Sequence, residues 1–261
     1  MLAAQRQREI LTRLGDLGGV RVRSLAQSLN VTEETIRRDL QKLGTAGKLL
    51  RIHGGAVPAH DDRRDLPFDL RKTAKLEEKR AIATAALRYV AEGDVIALDA
   101  SSTAYELARI LPDMPLTLVT NSLPIGVALL GCRHLRVVST GGNLGASSRS
   151  FTGSLAEEAL GRFNVNKLFF SSKGFDLTRG LSDVSDEQAR VKRRMIDVAE
   201  TKYLLADHSK FGVRSVVFFA SLEDVDLVIT DERAATAVID EVIQRGLKVE
   251  TAAECTSNTR G

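Results

Sequence analysis

The sequence predicts a two-part α/β protein, in which a small winged helix-turn-helix is followed by a larger, mostly parallel α/β domain. Three observations lead to this prediction. Short helical patterns and a Gly-Gly turn lie within the first 57 residues, basic residues are concentrated in the same region, and apolar strand-like runs alternate with helical patterns from residue 79 onward. We therefore divide the chain into a DNA-binding domain over 1–57, a linker over 58–78, a second domain over 79–250 and a disordered tail over 251–261.

The charge is unevenly distributed along the 261 residues, although the net charge is only +3. Residues 1–60 contain ten Lys or Arg against five Asp or Glu, which gives +5, whereas the remaining 27 basic and 29 acidic residues give −2. Binding to the phosphate backbone of a nucleic acid needs such a basic surface. The distribution therefore indicates nucleic-acid contact by the first domain alone.

Several classes of protein are disfavoured by features that the sequence lacks. No apolar run reaches the ~18 residues that span a bilayer, and the N-terminal residues lack the apolar core of a secretory signal. The two cysteines, Cys132 and Cys255, have no metal-ligand spacing. We expect a cytoplasmic protein without a metal, a cofactor or a membrane partner.

The first domain begins with a helical pattern over 6–17, which Gly18-Gly19 ends. A short extended piece over 20–22 leads to a second helical pattern over 24–29. Asn30 is suited to the left-handed conformation that ends a helix. A third helical pattern follows directly, and two helices joined by a tight turn form a helix-turn-helix.

The third helical pattern has the features of a DNA-recognition helix. Ile36, Leu40 and Leu43 recur at i, i+4 and i+7 and form its buried face, and Thr32 is placed to cap its first turn. Polar and basic residues at the start of such a helix enter the DNA major groove. The predicted DNA contacts on this helix are Thr32, Glu34, Thr35, Arg37 and Arg38. Arg38 is the candidate for a base edge and Arg37 for a base or a phosphate, and a solvated Arg pair is the alternative.

A β-wing is predicted to follow the recognition helix. Residues 48–52 form a strand, Gly54-Gly55 a turn, and 56–57 the start of the return strand. Arg51 and His53 at the edge of the wing are predicted to reach phosphate or the minor groove. His53 is equally well explained as a loop histidine without a role.

The second domain is predicted to be a mostly parallel sheet with helices on both faces. Residues 58–78 before it mix prolines with Asp, Arg and Lys and show no apolar period, so we expect a hinge without core elements. The strand candidates are 95–99, 116–120, 135–140, 167–172, 203–207, 216–219 and 226–230. The helix candidates are 79–91, 103–111, 123–131, 152–163, 186–200 and 233–245. Because helices separate most of these apolar strands, parallel pairing is expected.

Polar residues follow the predicted strands at their carboxyl ends, where open α/β sheets bind ligands. Ser101, Ser102 and Thr103 start a helix, and their hydroxyls, together with backbone N–H groups, suit a phosphate group. Each hydroxyl taken alone is more simply a helix cap. The predicted ligand-binding residues are Asp99, Ser101, Ser102, Thr103, Thr120, Asn121, Ser122, Gly141, Gly142, Lys173, Asp207 and Lys210. Hydroxyls, lysines and carboxylates together indicate a phosphorylated sugar or polyol.

Enzymatic chemistry is the main alternative use of these strand ends. A carboxylate beside a lysine can move a proton next to a carbonyl, and Asp207 with Lys210 or Lys173 provides that combination. The sequence contains no nucleotide-binding loop, nucleophile elbow, metal-ligand cluster or dinucleotide fingerprint. His208 lies at a strand end, and we expect it to be a neighbour of the site and not a catalyst.

These motifs resemble those of the DeoR family of bacterial transcriptional regulators along nearly the whole chain. In the first domain the resemblance rests on residues 6–11, 31–40 and 51–56. In the second domain the matching segments are Asp99-Ala100-Ser101-Ser102-Thr103, Thr120-Asn121-Ser122, Gly141-Gly142, Lys173-Gly174, Lys192 and Asp207-His208-Ser209-Lys210. The family often has glycine where this chain has Ala100 or Ser101.

The resemblance implies a winged helix-turn-helix joined to a sugar-phosphate sensor domain, whose fold is related to ribose-5-phosphate isomerase and CoA transferases. It also implies a homo-oligomer, a dimer or a tetramer, because paired helices read operator half-sites. We therefore predict a DNA-binding regulator, in the preferred interpretation a repressor of a sugar or polyol catabolic operon, with an activator as the alternative. Binding of a phosphorylated sugar or polyol effector is expected to change its affinity for double-stranded operator DNA through the 58–78 hinge. A sugar-phosphate isomerase with an appended DNA-binding domain is the alternative function.

Overall fold

The computed structural model describes residues 2–17, 19–46, 48–52, 54–58 and 66–253. The chain divides into two compact units, Met1–Leu66 and Pro67–Gly261, and each has its own apolar core. None of the helices in the described ranges is long and apolar enough to cross a membrane.

Three helices form the core of the first unit. They are α1 (Ala3–Leu17), α2 (Val22–Leu29) and α3 (Glu33–Thr45). Asn30 follows α2 with φ 51° and ψ 52°, the left-handed conformation expected for it. The Thr32 side chain accepts a hydrogen bond from Thr35 N and caps α3. The apolar face of α3, which includes Ile36 and Leu40, is buried.

Three short strands form the wing. They are β1 (Val20–Arg21), β2 (Leu49–Ile52) and β3 (Gly55–Pro58), and β3 lies between the other two and antiparallel to both. The strand β1 is an addition to the predicted wing. Gly55 permits the pairing because a Cβ there would lie 2.1 Å from the Val20 carbonyl oxygen, and Gly54 makes the turn with φ 79°.

The second unit is built on a seven-stranded sheet whose described pairs are all parallel, as predicted. In spatial order the strands are β15 (Lys248–Ala252), β14 (Leu227–Asp231), β12 (Ala199–Leu205), β9 (Val165–Phe170), β4 (Val95–Leu98), β5 (Leu116–Thr120) and β6 (Leu135–Ser139). The chain adds β5 and β6 on one side of β4 and then returns to β9 on its other side. The strand order therefore reverses between β4 and β9.

Helices cover both faces of this sheet. They are α5 (Leu76–Leu87), α6 (Ser102–Ile110), α7 (Leu123–Ala128), α8 (Ser154–Leu160), α9 (Asp186–Asp197) and α10 (Thr236–Gln244). Successive strand residues point to opposite faces, so that Ile96 and Leu98 pack in the core with α5 and α6, whereas Ala97 packs in the core with α8 and α9. Burial on both faces explains why these strands are apolar without alternation.

The stretch predicted as a linker contains structured elements, and the expectation of a hinge without core elements over 58–78 is wrong for its second half. A short helix, α4 (Phe68–Arg71), lies there, and α5 begins at Leu76 instead of residue 79. Phe68 is fully buried and packs edge-to-face on Tyr105, with 5.4 Å between ring centroids. One buried aromatic residue is too little to create a helical period, which is why the pattern did not predict this packing.

Further strands lie outside the seven-stranded sheet. They are the hairpin β7 (Asn143–Gly145) and β8 (Ser150–Thr152), and the small antiparallel sheet of β10 (Gly174–Asp176), β11 (Gly180–Asp183) and β13 (Val217–Ala220). The predicted strand 216–219 therefore belongs to the small sheet. The predicted tail begins too early, because Thr251 and Ala252 pair with β14 as part of β15. Residues 59–65 of the linker and 254–261 of the tail lie outside the described residues.

Candidate functional site

The exposed face of α3 contains the residues predicted to contact DNA. Thr32, Glu34, Arg37 and Arg38 are exposed, and Thr35 is half-buried. The Arg38 side chain is 77% exposed and the Arg37 side chain 52% exposed. Both guanidinium groups can therefore reach a partner without rearrangement of the core.

Ion pairs within α3 hold its basic residues in the free protein. Arg37 Nη2 lies 2.7 Å from Glu33 Oε2, and Arg38 Nε lies 3.4 Å from Glu34 Oε1. Exposed pairs one helical turn apart contribute only ~0.3–0.5 kcal/mol each. Phosphate groups of DNA can therefore displace them at small cost.

The opposite side of α3 contains a buried ion pair that the sequence analysis missed. Asp39 accepts a hydrogen bond from Arg6 Nε and another from Gln7 Nε2, the latter at 2.9 Å. Arg6 and Asp39 are both buried, so the pair joins α1 to α3 inside the unit. The sequence signal for this pair was the position of Asp39 directly before Leu40, which belongs to the buried face of α3.

Of the two wing residues predicted to contact DNA, the structure describes Arg51 and leaves His53 outside the described residues. Arg51 is exposed on β2, and its aliphatic stem lies beside α3, because a Cβ on Gly44 would be 3.4 Å from Arg51 Cγ. His53 lies outside the described residues, so its contact with DNA stays a prediction. Arg21 and Arg23 at the start of α2 are also exposed and extend the basic surface.

In the second unit, polar residues line the carboxyl ends of the parallel strands. The reversal of strand order between β4 and β9 lies within this edge, and open α/β sheets bind ligands at such a switch point. Asp99 follows β4 and Ser171 follows β9, and Asp99 Oδ2 accepts a hydrogen bond from Ser171 N at 3.2 Å. The strand ends on the two sides of the switch point are thus joined directly.

Lys192 of α9 neutralises the carboxylates at the switch point. Its Nζ lies 3.1 Å from Asp99 Oδ2 and 2.9 Å from Asp183 Oδ2, and it donates to Ser171 O at 2.6 Å. Burial alone would lower the pKa of Lys192, but Asp183 and Asp99 outweigh burial and raise the pKa above its ordinary value. Asp99 Oδ1 also accepts from Ser101 N. Both Asp99 oxygens therefore have protein partners, and this residue fixes the loops of the site.

The hydroxyl cluster after β4 lies at the start of α6. Ser101 Oγ accepts a hydrogen bond from Ala104 N at 3.1 Å and caps the helix. Ser101, Ser102 and Thr103 are all buried. The first N–H groups of a helix have no partner within the helix and attract anions. The switch point thus has a helix N-terminus beside it, with two further hydroxyls on the first turn.

Three buried side-chain oxygen atoms have no hydrogen-bond partner among the described residues; one is Thr230 Oγ1 within β14, and the other two follow strands. Asn121 Oδ1 follows β5 and Ser172 Oγ follows β9. The amide of Asn121 is oriented by its Nδ2, which donates to Phe151 O at 3.0 Å. Buried polar atoms are rarely unpaired in proteins, so both oxygens are suited to a ligand. Asn121 was predicted, whereas Ser172 was not.

Two other predicted residues, one at the end of β5 and one after it, have structural partners. Thr120 Oγ1 donates to Leu98 O at 2.7 Å and so joins β5 to β4. Ser122 Oγ accepts from Ile125 N at 3.3 Å and caps α7. Both hydroxyls therefore have structural roles, one between strands and one as a helix cap.

The glycines and the lysine predicted near the switch point also differ in their surroundings. Gly142 has φ 109°, and a Cβ there would lie 2.6 Å from Thr152 O, so packing of the backbone requires this glycine. Gly141 has φ 64° and faces open space. Lys173 N donates to Ser182 O at 3.0 Å and so continues the small sheet.

A cluster of cations lies around Asp207 at the end of β12. Asp207 is 2% exposed, Lys75 Nζ lies 3.6 Å from its Oδ1, and Ser209 donates to the same oxygen through N and Oγ. Burial alone would raise the pKa of this carboxyl, but three lysines and the Ser209 hydroxyl outweigh burial and hold the pKa well below its ordinary value. These lysines are Lys210, Lys75 and Lys79. Asp207 is therefore ionised at physiological pH.

Most of this cluster was missed, because Arg71 and Lys75 come from the stretch predicted as a linker and Lys79 from the start of the predicted helix 79–91, away from any strand end. Lys75 has a left-handed backbone with φ 52°, which costs a non-glycine residue about 1 kcal/mol. Its Nζ also lies 3.1 Å from His208 Nε2, and His208 Nδ1 lies 2.9 Å from Asp231 Oδ1. Backbone strain that is held by surrounding contacts is typical of functional sites. Among the residues that the structure describes, no cluster of His, Cys, Asp or Glu is arranged to hold a metal ion.

Comparison with known proteins identifies relatives along almost the whole chain. The DeoR-like helix-turn-helix domain matches residues 6–61, and the DeoR C terminal sensor domain matches residues 74–232. The uncharacterized HTH-type transcriptional regulator YulB of Bacillus subtilis is 44% identical over 95% of this chain and 96% of its own length. The transcriptional repressor AccR of Agrobacterium fabrum is 37% identical over 93% of this chain and 94% of its own length. Among solved structures, ribose 5-phosphate isomerase A of Methanocaldococcus jannaschii aligns over 51% of this chain and 53% of its own, with 18% identity and a TM-score of 0.38.

Proposed function

The chain belongs to the DeoR family of transcriptional regulators, and on that premise we propose that it controls a sugar or polyol catabolic operon in response to a phosphorylated effector. The first unit binds double-stranded operator DNA, and the second unit binds the effector. We propose a repressor, which is the role that the relative AccR has by name. Activation is the alternative, and a reporter gene behind the operator distinguishes the two.

Operator recognition depends on the exposed start of α3. Arg38 is the candidate for a base edge in the major groove, and Arg37 for a base or a phosphate. Helix-turn-helix proteins read two half-sites with paired helices, so we propose that the chain acts as a homo-oligomer, either a dimer or a tetramer. Since such a regulator has to reach chromosomal DNA, we expect it in the cytoplasm.

The observation that best supports the effector proposal is the charge at the carboxyl ends of the strands. Lys75, Lys79 and Lys210 lie around the ionised carboxylate of Asp207, and Arg71 lies close to Lys79. The guanidinium of Arg71 also donates to a carbonyl in the loop that opens α6. An excess of positive charge beside a helix N-terminus attracts a phosphate group.

The rest of the ligand is proposed to be a sugar or a polyol. The unpaired oxygens of Asn121 and Ser172 are suited to hydrogen bonds with ligand hydroxyls. Asp99 contributes by holding the loops after β4 and β9 at their present separation. A compact, hydroxyl-rich ligand with one phosphate group satisfies the charges and the unpaired atoms together.

Thermal unfolding of the full chain with a panel of sugar and polyol phosphates, each beside its unphosphorylated parent, tests this proposal. A ligand at 100 times its dissociation constant stabilises the folded protein by ~2.7 kcal/mol, which is readily measured. We expect stabilisation by a phosphorylated compound, none by its parent, and loss of the effect in Lys210→Ala. Lys248→Ala, at the start of β15 on the opposite edge of the sheet, is the matched control and keeps the response. No shift across the panel would contradict the effector half of the proposal.

A sugar-phosphate isomerase is the alternative function, and the electrostatics of Asp207 disfavour it. A general base works best when its pKa is near the working pH. The pKa of Asp207 is instead held well below its ordinary value by the neighbouring lysines, so its carboxylate is a weak base. We therefore propose a binding site without catalysis. Turnover of ribose 5-phosphate by the full chain would overturn this part of the proposal.

A further inference from the structure

Lys79 is buried in the second unit without a carboxylate partner. It is 6% exposed, and its Nζ donates to the carbonyl oxygens of Arg71 and Ala74, each at 2.5 Å. Within the described residues, no Asp or Glu oxygen lies within ion-pair distance of this amine. The nearby carboxylates pair with other cations, Asp207 with Lys75 and Glu106 with two arginines. Two carbonyl acceptors match the two N–H bonds of a neutral amine.

The charged groups around Lys79 come from several elements of the unit. They are Arg71 of α4, Lys75 before α5, Asp207, His208 and Lys210 after β12, and Glu106 of α6, whose carboxylate is paired with Arg80 and Arg109. Asp207 is thus the nearby carboxylate that has to offset several cations. A further positive charge on Lys79 is unfavourable in this arrangement.

Burial is the largest cause that lowers the pKa of Lys79 to about 7. Asp207 and Glu106 act in the opposite direction, whereas Lys210 and Arg71 lower the pKa further. Roughly three quarters of the amine is therefore neutral at pH 7.5.

We infer that Lys79 adjusts the charge of the strand-end site to its ligand, because it takes up a proton from solution when a dianion binds. The two carbonyl hydrogen bonds stay in place, the lone pair of the amine accepts the proton, and the new N–H becomes available to the anion. In the free protein, the neighbouring cations disfavour a positive charge on Lys79. When the dianion binds, its two negative charges offset this repulsion. This inference rests on the proposed function, since it concerns the same effector site, and it adds that the site prefers dianionic phosphate monoesters to monoanions.

Inorganic sulfate is the probe for this inference, because it stays dianionic at neutral and alkaline pH and releases no proton itself. Its dissociation constant for the full chain, from isothermal titration, is expected to rise by up to about tenfold between pH 7.5 and 8.5. Titrations at pH 7.5 in two buffers of different ionisation enthalpy are expected to give an uptake of about 0.7 proton per bound sulfate.

Two variants separate Lys79 from its neighbours. Lys79→Met is expected to bind sulfate with a dissociation constant that does not change with pH and without proton uptake. Lys75→Met keeps both the pH dependence and the uptake, even where its affinity is lower. The proton count on the unmodified chain gives an answer even where a variant does not fold.

Two results would overturn the inference. One is sulfate binding to the unmodified chain with a constant affinity and no proton uptake, which leaves the effector proposal intact. The other is no binding of sulfate at any attainable concentration, and the panel of sugar phosphates then decides the effector proposal separately.

Discussion

The two units of the chain place their charged residues in opposite ways. In the first unit, Arg37 and Arg38 point outward from α3. In the second unit, Asp99 and Asp207 are buried after parallel strands, and Lys79 is buried in α5. DNA is a large partner that approaches from outside, whereas a small ligand has to be surrounded before it is held firmly.

This difference helps to separate charges that stabilise the fold from charges that bind a partner. The ion pairs Arg6–Asp39 in the first unit and Lys192 with two aspartates in the second are buried and compensated by the chain itself. Lys79 is buried without such compensation, and Arg38 has only an exposed partner. We propose that compensated charges position elements, whereas uncompensated ones are available to bind the effector or the operator.

The largest expected effect is on the compensated group of the second unit. Lys192→Met leaves Asp99 and Asp183 buried without their cation, and we expect it to lower the unfolding free energy of this unit by about 4 kcal/mol. Urea unfolding of the full chain measures the change. Arg190→Gln on the same helix removes only an exposed pair with Asp186, so it should cost less than about 1 kcal/mol. An equal loss of unfolding free energy in the two variants would contradict the distinction between buried, compensated charges and exposed ion pairs.

The buried pair of the first unit is expected to have the next largest effect. Asp39→Asn keeps the shape of the side chain but removes the carboxylate that pairs with the buried Arg6 guanidinium, so we expect a loss of about 3 kcal/mol. Hydrogen exchange of the α1 and α3 amides in the full chain reports this loss. Glu33→Gln, which removes an exposed pair on the same helix, is the control. Unchanged exchange in Asp39→Asn would show that the pair does not hold α1 on α3.

Among the uncompensated charges, Arg38 is expected to show an effect on binding without one on stability. Arg38→Ala should weaken binding to an operator selected from random DNA by about 30-fold, or ~2 kcal/mol, with a smaller loss on unselected DNA. Fluorescence anisotropy at fixed salt measures both affinities. Lys42→Ala, exposed on the same helix, should weaken both DNAs alike. Equal losses on both DNAs for Arg38→Ala would assign this residue to phosphate contact.

The most gradual expected effect is the pH dependence of stability that Lys79 causes. Its pKa in the folded chain, about 7, lies below its ordinary value of 10.5. The unfolded chain therefore binds more protons between these values, and the stability of the second unit should rise with pH from 7 to 10 by up to about 1.4 kcal/mol per unit. Urea unfolding at a series of pH values measures the slope. The slope should disappear in Lys79→Met, and an equal slope in that variant would contradict this role.

Much of the fold could be predicted, because hydrophobic period and caps are local signals. The turn at Asn30, the cap at Thr32 and the parallel sheet follow from such signals and agree with the structure. The β7–β8 hairpin and the strands β10 and β11, each three or four residues long, were missed, whereas β13 was predicted as the strand 216–219. Strands of that length contain too few residues to establish a period.

The site could be predicted only in part, because its electrostatics depend on residues distant in sequence. The strand-end rule selected Asp207 and Lys210, which are three residues apart. Lys75 and Lys79 lie near the same carboxylate, but they come from the predicted linker and from the start of the predicted helix 79–91, more than 120 residues earlier. Likewise, the ion pair between Asp99 and Lys192 could not be predicted, because no local sequence pattern shows that α9 packs beside the end of β4.

The most direct test of the account is the operator affinity of the full chain, measured with and without the phosphorylated compound that stabilises it. We predict that the compound changes the dissociation constant for selected operator DNA by about 5- to 150-fold. The unphosphorylated parent should have no effect, and Lys210→Ala should remove the response while still binding DNA. A compound that binds the second unit and leaves operator affinity unchanged would contradict the claim that the strand-end site controls DNA binding.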